Sequence, residues 1–167
     1  MYALPNLVIL VHGAAEGESE LTAFDNALRQ AGIGDLNLIR VSSIVPPGAR
    51  LAPMPRIPRG SLTPAAYAKA VSSCPGQRIA ACVGAGITPE GGVLMEASGA
   101  CSAAELEERV RRMVDEAMRA RGFEQYEVHL ASAEHVVERI GSAVAAAVLW
   151  HDGSLTTNPA ADKGGET

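Results

Sequence analysis

In the stretch NLIRVSSIVPPGAR, residues 37–50, two serines follow a β-like run and stand just before two prolines. Serine is an indifferent strand residue, and the adjacent hydroxyl groups of Ser42 and Ser43 add nothing to a hydrophobic core. The simplest interpretation is a strand that ends in a polar turn. A chemical role for the pair needs support from the rest of the chain.

The composition favours one globular domain with a core of small aliphatic side chains. The chain has 167 residues, of which 47% are hydrophobic but only 4% aromatic, and this length allows a sizeable core. The net charge of −5, without an evident basic face, argues against a general nucleic-acid binder. The N-terminal run MYALPNLVILVHG lacks a basic segment and is too short to span a bilayer, so it predicts neither a signal peptide nor a membrane anchor.

Cysteine and histidine usage gives no indication of a metal site. The three cysteines lack metal-ligand spacing and the four histidines are scattered along the chain. We therefore expect no bound metal, and thiols that stay reduced in a cytoplasm.

Hydrophobic periodicity predicts the elements of the first half of the chain. Ser19 is a plausible N-cap for the first helix, in which Leu21, Phe24, Leu28 and Ala31 form one apolar stripe that Gly32 ends. Six prolines between residues 46 and 64 exclude a helix or a central strand there. The expected order is a buried strand at 6–13, a loop at 13–20, a helix at 20–32, a strand at 37–44, an extended connection at 46–64 and a short helix at 63–73.

The second half contains the clearest helix, at residues 102–122. Ser102 and Glu105 form a capping box there, and Leu106, Val110, Met113 and Ala117 form its apolar face. Two strands at 78–87 and 91–99 precede this helix. Residues 125–151 begin with strand-like alternation and end in an alanine-rich run that fits a helix or a long buried strand. Residues 152–167 are expected to form a disordered tail, and the whole is one mixed α and β domain at 1–151.

Several motifs resemble the pyruvoyl-dependent arginine decarboxylases. They are EGESELTAFDNAL, AGIGDLNLIRVSSIVPP, PAAYA, GGVLMEASGACS and EHVVERIGSAVAAAVLW, to which the long helix is added. The resemblance as a whole covers residues 5–151. Each motif alone is weak, but the combination of Ser-Ser-Ile-x-Pro-Pro with the AFD segment and the Met-Glu pair is specific.

The resemblance implies that the chain cleaves itself between Ser42 and Ser43. The Ser43 hydroxyl attacks the Ser42 carbonyl, and elimination and hydrolysis then leave an N-terminal pyruvoyl group. This step requires a strained, exposed carbonyl at Ser42 and a donor for the oxyanion. A β chain, 1–42, and an α chain, 43–167, would result. The covalent pyruvoyl group replaces pyridoxal phosphate, needs no metal, and forms a Schiff base with the substrate α-amine.

Three further residues receive roles from the same resemblance, each beside a simpler alternative. Glu96 stands at the position of the proton donor, and burial favours the protonated form of a carboxyl group; otherwise it is an edge-strand glutamate facing water. Asp25 stands where the family holds the substrate guanidinium; at the border of the apolar stripe it is expected to be half-buried, and alternatively it is a helix N-terminal aspartate. Asn37 stands where the family has an asparagine that supports self-cleavage, or is a turn residue.

The sequence departs from the family in one loop. Ala14 and Ala15 replace small hydroxyl residues in the segment Gly13–Gly17, which removes side-chain contacts from those two positions. His12 is unexpected in the family, and we assign it no role.

The resemblance also implies the architecture and the reaction. Relatives form an α+β, four-layer αββα sandwich and assemble as homotrimers, or as hexamers, with sites between subunits. The implied reaction converts L-arginine to agmatine and CO2 in the cytoplasm, without nucleic-acid or membrane partners, and suits polyamine synthesis or acid resistance. Two alternatives stay open: a pyruvoyl decarboxylase of histidine, ornithine or lysine, and an unprocessed relative that acts as a binding or assembly module.

Overall fold

Nine strands and two helices make up residues 4–153, the part of the chain that this computed structural model describes. Most of the expected disordered tail, residues 154–167, lies outside this range. In chain order the elements are β1 (Leu7–Glu16), α1 (Glu20–Gln30), β2 (Asn37–Arg40), β3 (Ile44–Val45), β4 (Arg50–Leu51), β5 (Leu62–Ser72), β6 (Arg78–Thr88), β7 (Gly91–Gly99), α2 (Ala103–Ala120), β8 (Glu127–Val136) and β9 (Gly141–Trp150).

The strands form two sheets that pack face to face. One sheet has the order β2-β5-β9-β1-β4 and the other has the order β3-β7-β6-β8. Helix α1 covers the outer face of the first sheet, against β1, β9 and β5, and α2 covers the second, against β6, β7 and β8. The domain is therefore α+β, and its packing order of helix, sheet, sheet, helix is consistent with the expected four-layer sandwich.

Small aliphatic side chains allow the two sheets to pack closely. Strand β9 is buried on both faces: Ala143, Ala145 and Ala147 face the other sheet, whereas Val144 and Val148 pack under α1. This double burial explains an alanine-rich run that its local pattern left ambiguous between helix and strand. Residues 125–151 form the antiparallel strands β8 and β9, in different sheets.

The predicted helices at 20–32 and 102–122 are confirmed, each with its capping serine. Ser19 accepts a hydrogen bond from the backbone of Thr22, and Ser102 and Glu105 form the expected reciprocal capping box. The buried face of α1 differs from the prediction, however. Ala23 and Ala27 face the sheet, and Leu21 is 75% exposed, because the small alanines permit the closest approach of the helix backbone to β1.

The predicted helix at 63–73 is wrong, because this segment forms strand β5 between β2 and β9. Its alanines alternate between the two faces: Ala66, Ala68 and Ala70 enter the core between the sheets, and Ala65 packs under α1. Alanine favours a helix locally, but burial between two neighbouring strands outweighs this preference of well under 1 kcal/mol per residue.

Candidate active site

The Ser42-Ser43 pair lies where the chain passes from one sheet to the other. Strand β2, before the pair, runs parallel to β5 in the first sheet, and β3, after it, runs antiparallel to β7 in the second. Ser42 is exposed and Ser43 is partly buried. The strand predicted at 37–44 is therefore two short strands with the serine pair between them.

Two backbone hydrogen bonds fix the geometry of the pair. The N–H of Ile44 donates to the carbonyl oxygen of Ser42 at 3.0 Å, which forms a three-residue turn centred on Ser43, and the N–H of Leu94 donates to the Ser43 carbonyl at 2.9 Å. The first bond polarises the carbonyl that a Ser43 hydroxyl would attack. The expected strain is not expressed as a positive φ, since only glycines have one among residues 4–153.

Glu96 lies on β7, two residues after Leu94 and on the same face. Leu94 belongs to the core between the sheets, whereas Met95 and Ala97 pack towards α2. Glu96 therefore points towards the first sheet, and its side chain is only 20% exposed. The strand pairing of Ile44 with Val93 thus brings Ser43 and Glu96 to the same corner of the sandwich.

Arg40, which the sequence interpretation overlooked, contacts Glu96. Its Nη2 lies 3.4 Å from the Glu96 Oε1 atom and donates to the Tyr67 carbonyl at 2.9 Å. The guanidinium also stacks over the Tyr67 ring, 4.9 Å from its centroid. One signal was present in the sequence: Arg40 stands two residues before Ser42, so extended backbone places both on one face.

Asp25 is exposed on α1, and the expectation that it is half-buried is wrong for the single chain. It lies on the far side of the helix from the buried Ala23 and Ala27. Its neighbour Phe24 stacks on Tyr67, with ring centroids 6.4 Å apart. Within residues 4–153 the Asp25 carboxylate forms no hydrogen bond or ion pair, so the chain leaves it open to an external cation.

Asn37 is not brought to the serine pair within one chain. Its side-chain amide donates to the carbonyl of Gly60 at 2.8 Å, at the first residue of β2. Five residues of extended chain separate it from Ser42, a distance of about 16 Å. Its role in self-cleavage stays a prediction.

In the segment Gly13–Gly17, every residue up to Glu16 belongs to the end of β1 rather than to a loop. The Ala14 N–H donates to Gln30 at 2.7 Å, and His12 is exposed on the same strand. Gly13 is required for packing, because a Cβ atom there would lie 2.5 Å from the Ala27 carbonyl oxygen.

The described residues contain neither a cluster of metal-ligating side chains nor a helix that is long and apolar enough to cross a membrane. The three cysteines are free. Burial raises the pKa of the Cys82 thiol to about 12, with a smaller contribution from Glu107, so that thiol is a poor nucleophile.

Comparison with known proteins identifies close relatives over almost the whole chain. The family profile described as pyruvoyl-dependent arginine decarboxylase matches residues 7–153. A protein of that name from Methanocaldococcus jannaschii is 45% identical over 153 residues, which cover 90% of this chain and 93% of the relative. Its counterpart from Pyrococcus abyssi is 41% identical over 154 residues, which cover 89% of this chain and 98% of the relative.

Proposed function

Because the chain belongs to the pyruvoyl-dependent arginine decarboxylase family, we propose that it cleaves itself between Ser42 and Ser43 and then converts L-arginine to agmatine and CO2. The observation that carries the proposal is the corner at which β3 joins β7. There the Ser43 carbonyl accepts a hydrogen bond from the Leu94 N–H, and Glu96 lies two residues after Leu94 on the same face of β7.

Self-cleavage uses the hydroxyl group of Ser43. Its oxygen attacks the Ser42 carbonyl carbon, and the amide bond breaks as an ester forms. The Ile44 N–H, already 3.0 Å from the Ser42 oxygen, stabilises the negative charge that develops there. Loss of the Ser43 α-proton then expels the Ser42 carboxylate and leaves dehydroalanine, which water converts to a pyruvoyl group and ammonia. The products are a β chain, 1–42, and an α chain, 43–167.

The residues around Ser43 fit this group. Ser43 has the side chain from which a pyruvoyl group forms, and its carbonyl is held by the hydrogen bond from the Leu94 N–H at 2.9 Å. The group supplies a ketone for the substrate amine and a carbonyl that accepts electrons as CO2 leaves. Glu96 donates the proton to the carbon that loses CO2. To do so it must take up a proton, and its ion pair with Arg40 in the uncleaved chain must then give way to a hydrogen-bonded carboxyl group.

Asp25 recognises the guanidinium of arginine, for which a carboxylate is a good bidentate partner. Its exposed position on the outer face of α1 leaves it accessible to a second copy of the chain and so favours a site that two copies share. We propose a homotrimer, or a pair of trimers, in which Asp25 and Asn37 of one copy serve the Ser43 of another. The free state of all three cysteines supports a cytoplasmic enzyme.

Intact-mass spectrometry tests the self-cleavage. The wild-type chain should give two fragments that divide after Ser42, and Ser43→Ala should remain intact. Ser42→Ala is the matched control: it removes the neighbouring hydroxyl but keeps the nucleophile, so it should still cleave. A single intact chain in the wild-type sample would refute the proposal.

Release of CO2 from a panel of arginine, ornithine, lysine and histidine tests the substrate. Arginine should be preferred, since only its guanidinium offers paired donors to Asp25. Asp25→Asn should raise the KM for arginine by at least about tenfold, the effect of losing roughly 1.4 kcal/mol of binding free energy. A preference for another amino acid would contradict the substrate assignment but leave the cleavage result intact.

A further inference from the structure

Glu16, the last residue of β1, holds the turn between β8 and β9. Its carboxylate accepts hydrogen bonds from the backbone N–H groups of Glu138 at 2.9 Å, Arg139 at 3.0 Å and Ile140 at 2.9 Å. The His135 Nε2 atom is a fourth partner, at 2.6 Å from Oε1. A carboxylate can only accept, so Nε2 carries the hydrogen.

The backbone of the same residue holds helix α1. The Asn26 side-chain amide donates to the Glu16 carbonyl oxygen at 3.0 Å. The next N–H, that of Gly17, donates to the Ile140 carbonyl at 2.9 Å. A Cβ atom at Gly17 would lie only 2.2 Å from the backbone nitrogen of Ala23. The segment between β1 and α1 is therefore clamped on both sides.

Glu16 remains ionised over a wide range of pH. Burial alone would raise its pKa, but the bonds from Glu138, His135, Arg139 and Ile140 together lower the pKa to about 2. Its side chain is 22% exposed. Four charge-assisted hydrogen bonds to one carboxylate restrict the position and orientation of the Glu16 side chain and, through it, of its backbone.

We propose that Glu16 is a positioning residue for substrate recognition: it fixes α1 through Asn26 and thereby sets the place of the adjacent Asp25. This inference rests on the proposed function, in which Asp25 binds the guanidinium of arginine. The apolar contacts of Ala23 and Ala27 hold α1 against the sheet, but they do not by themselves fix its position along the helix axis. The directional bond from Asn26 to the Glu16 carbonyl does, together with the bond from the Ala14 N–H to Gln30 at the last residue of the helix.

The test is Glu16→Gln in the cleaved enzyme. Glutamine keeps the size of the side chain, but its amide N–H2 faces hydrogen-bond donors. We expect the KM for arginine and the inhibition constant of agmatine to rise together by about tenfold, since displacement of a binding group by about 1 Å can cost up to 100-fold. The value of kcat should stay within about threefold, because the Ser43 corner is unchanged.

Glu18→Gln is the matched control, since it makes the same chemical change in the same segment. Glu18 is exposed and takes part in none of these hydrogen bonds, so its KM should equal that of the wild type. Asn26→Ala removes the bond to the Glu16 carbonyl, together with a 3.5 Å contact from exposed Arg29, and should raise the KM in the same way. It carries the test if Glu16→Gln does not fold.

A double-mutant cycle separates positioning from a general structural role. In the Asp25→Asn background, Glu16→Gln should raise the KM by less than about twofold, because the group that it positions is already disabled. Fully additive effects would overturn the inference, as would an unchanged KM in both Glu16→Gln and Asn26→Ala. A wild-type enzyme that cleaves but does not decarboxylate arginine would instead refute the proposed function, and this inference with it.

Discussion

Replacement of Arg40 by methionine should destabilise the chain through the loss of three contacts at the Ser43 corner. Methionine retains most of the aliphatic stem, so apolar packing changes little. The guanidinium contacts disappear: the bond to the Tyr67 carbonyl at 2.9 Å, the ion pair with Glu96 at 3.4 Å and the stack over the Tyr67 ring at 4.9 Å.

The size of the effect follows from the exposure of each partner. The Arg40 side chain is 59% exposed, so its ion pair contributes at most about 1 kcal/mol and its ring contact about 0.5–1 kcal/mol. The hydrogen bond adds about 1 kcal/mol. Since one half-solvated group makes all three, the contributions overlap, and we expect a loss of about 1–2 kcal/mol in the free energy of unfolding.

Urea denaturation of Ser43→Ala protein, with and without Arg40→Met, measures this loss on uncleaved chains. In a thermal melt of the same two proteins, Arg40→Met should lower the melting temperature by about 2–6 °C. Arg56→Met is the matched control: Arg56 is exposed and makes no hydrogen bond or ion pair within residues 4–153. A loss below about 0.5 kcal/mol, or equal to that of the control, would refute the reasoning.

Three other predictions concern packing, capping and pH. Gly92→Ala should abolish soluble expression, since its Cβ atom would lie 1.9 Å from the Gly86 carbonyl oxygen; recovery of a folded protein with native circular dichroism would contradict this. Ser102→Ala, which removes the cap of α2, should lower the free energy of unfolding by about 1 kcal/mol in urea denaturation, and an unchanged midpoint would argue against the cap. Because the pKa of Glu16 is lowered from 4.5 to about 2, its contribution to stability is complete above pH 4.5 and is lost as the pH falls towards 2. The gap in melting temperature between wild type and Glu16→Gln should therefore close over that range, and a gap that stays constant would exclude the ionised carboxylate as its cause.

Local sequence patterns predicted the elements whose signals are local. The α2 helix carries its own cap and apolar stripe, so residues 102–122 were assigned correctly without knowledge of its neighbours. The two strands at 78–87 and 91–99 were also correct, since a Gly/Pro turn separates two apolar runs. In both cases the decisive interactions lie within about twenty residues.

The errors arise where distant partners decide the outcome. The segment at 63–73 has helical composition, and only pairing with β2 and β9 makes it a strand. Asp25 was expected at the border of an apolar stripe that included Leu21. In the structure Ala23 packs closely against Gly17, and this contact orients the helix so that the side chains of Leu21 and Asp25 face outward. The spacing of apolar residues along a helix does not reveal a contact of this kind.

The candidate site shows the same division between chemistry and geometry. Ser43 and Glu96 were recognised by residue type and motif, but Arg40 was overlooked because its partners lie on two other strands, at Tyr67 and Glu96. Besides its charge, the signal for Arg40 in the sequence was its position two residues before Ser42, and that position does not reveal its partners on the other strands.

The position of Ser42-Ser43 also explains how the domain can withstand the proposed cut. The β chain would retain β1, which pairs with β9 over ten residues from Leu7 to Glu16. The residues that flank the cut have separate anchors, because Val41 donates to the Ala65 carbonyl at 3.2 Å in one sheet and the Ser43 carbonyl accepts from Leu94 in the other. Cleavage therefore removes one covalent crossing between the sheets and none of the strand pairing. A break inside any long strand would instead separate neighbouring residues of a continuous ladder, so the passage between the sheets is a position where the chain can be cut and the fold kept.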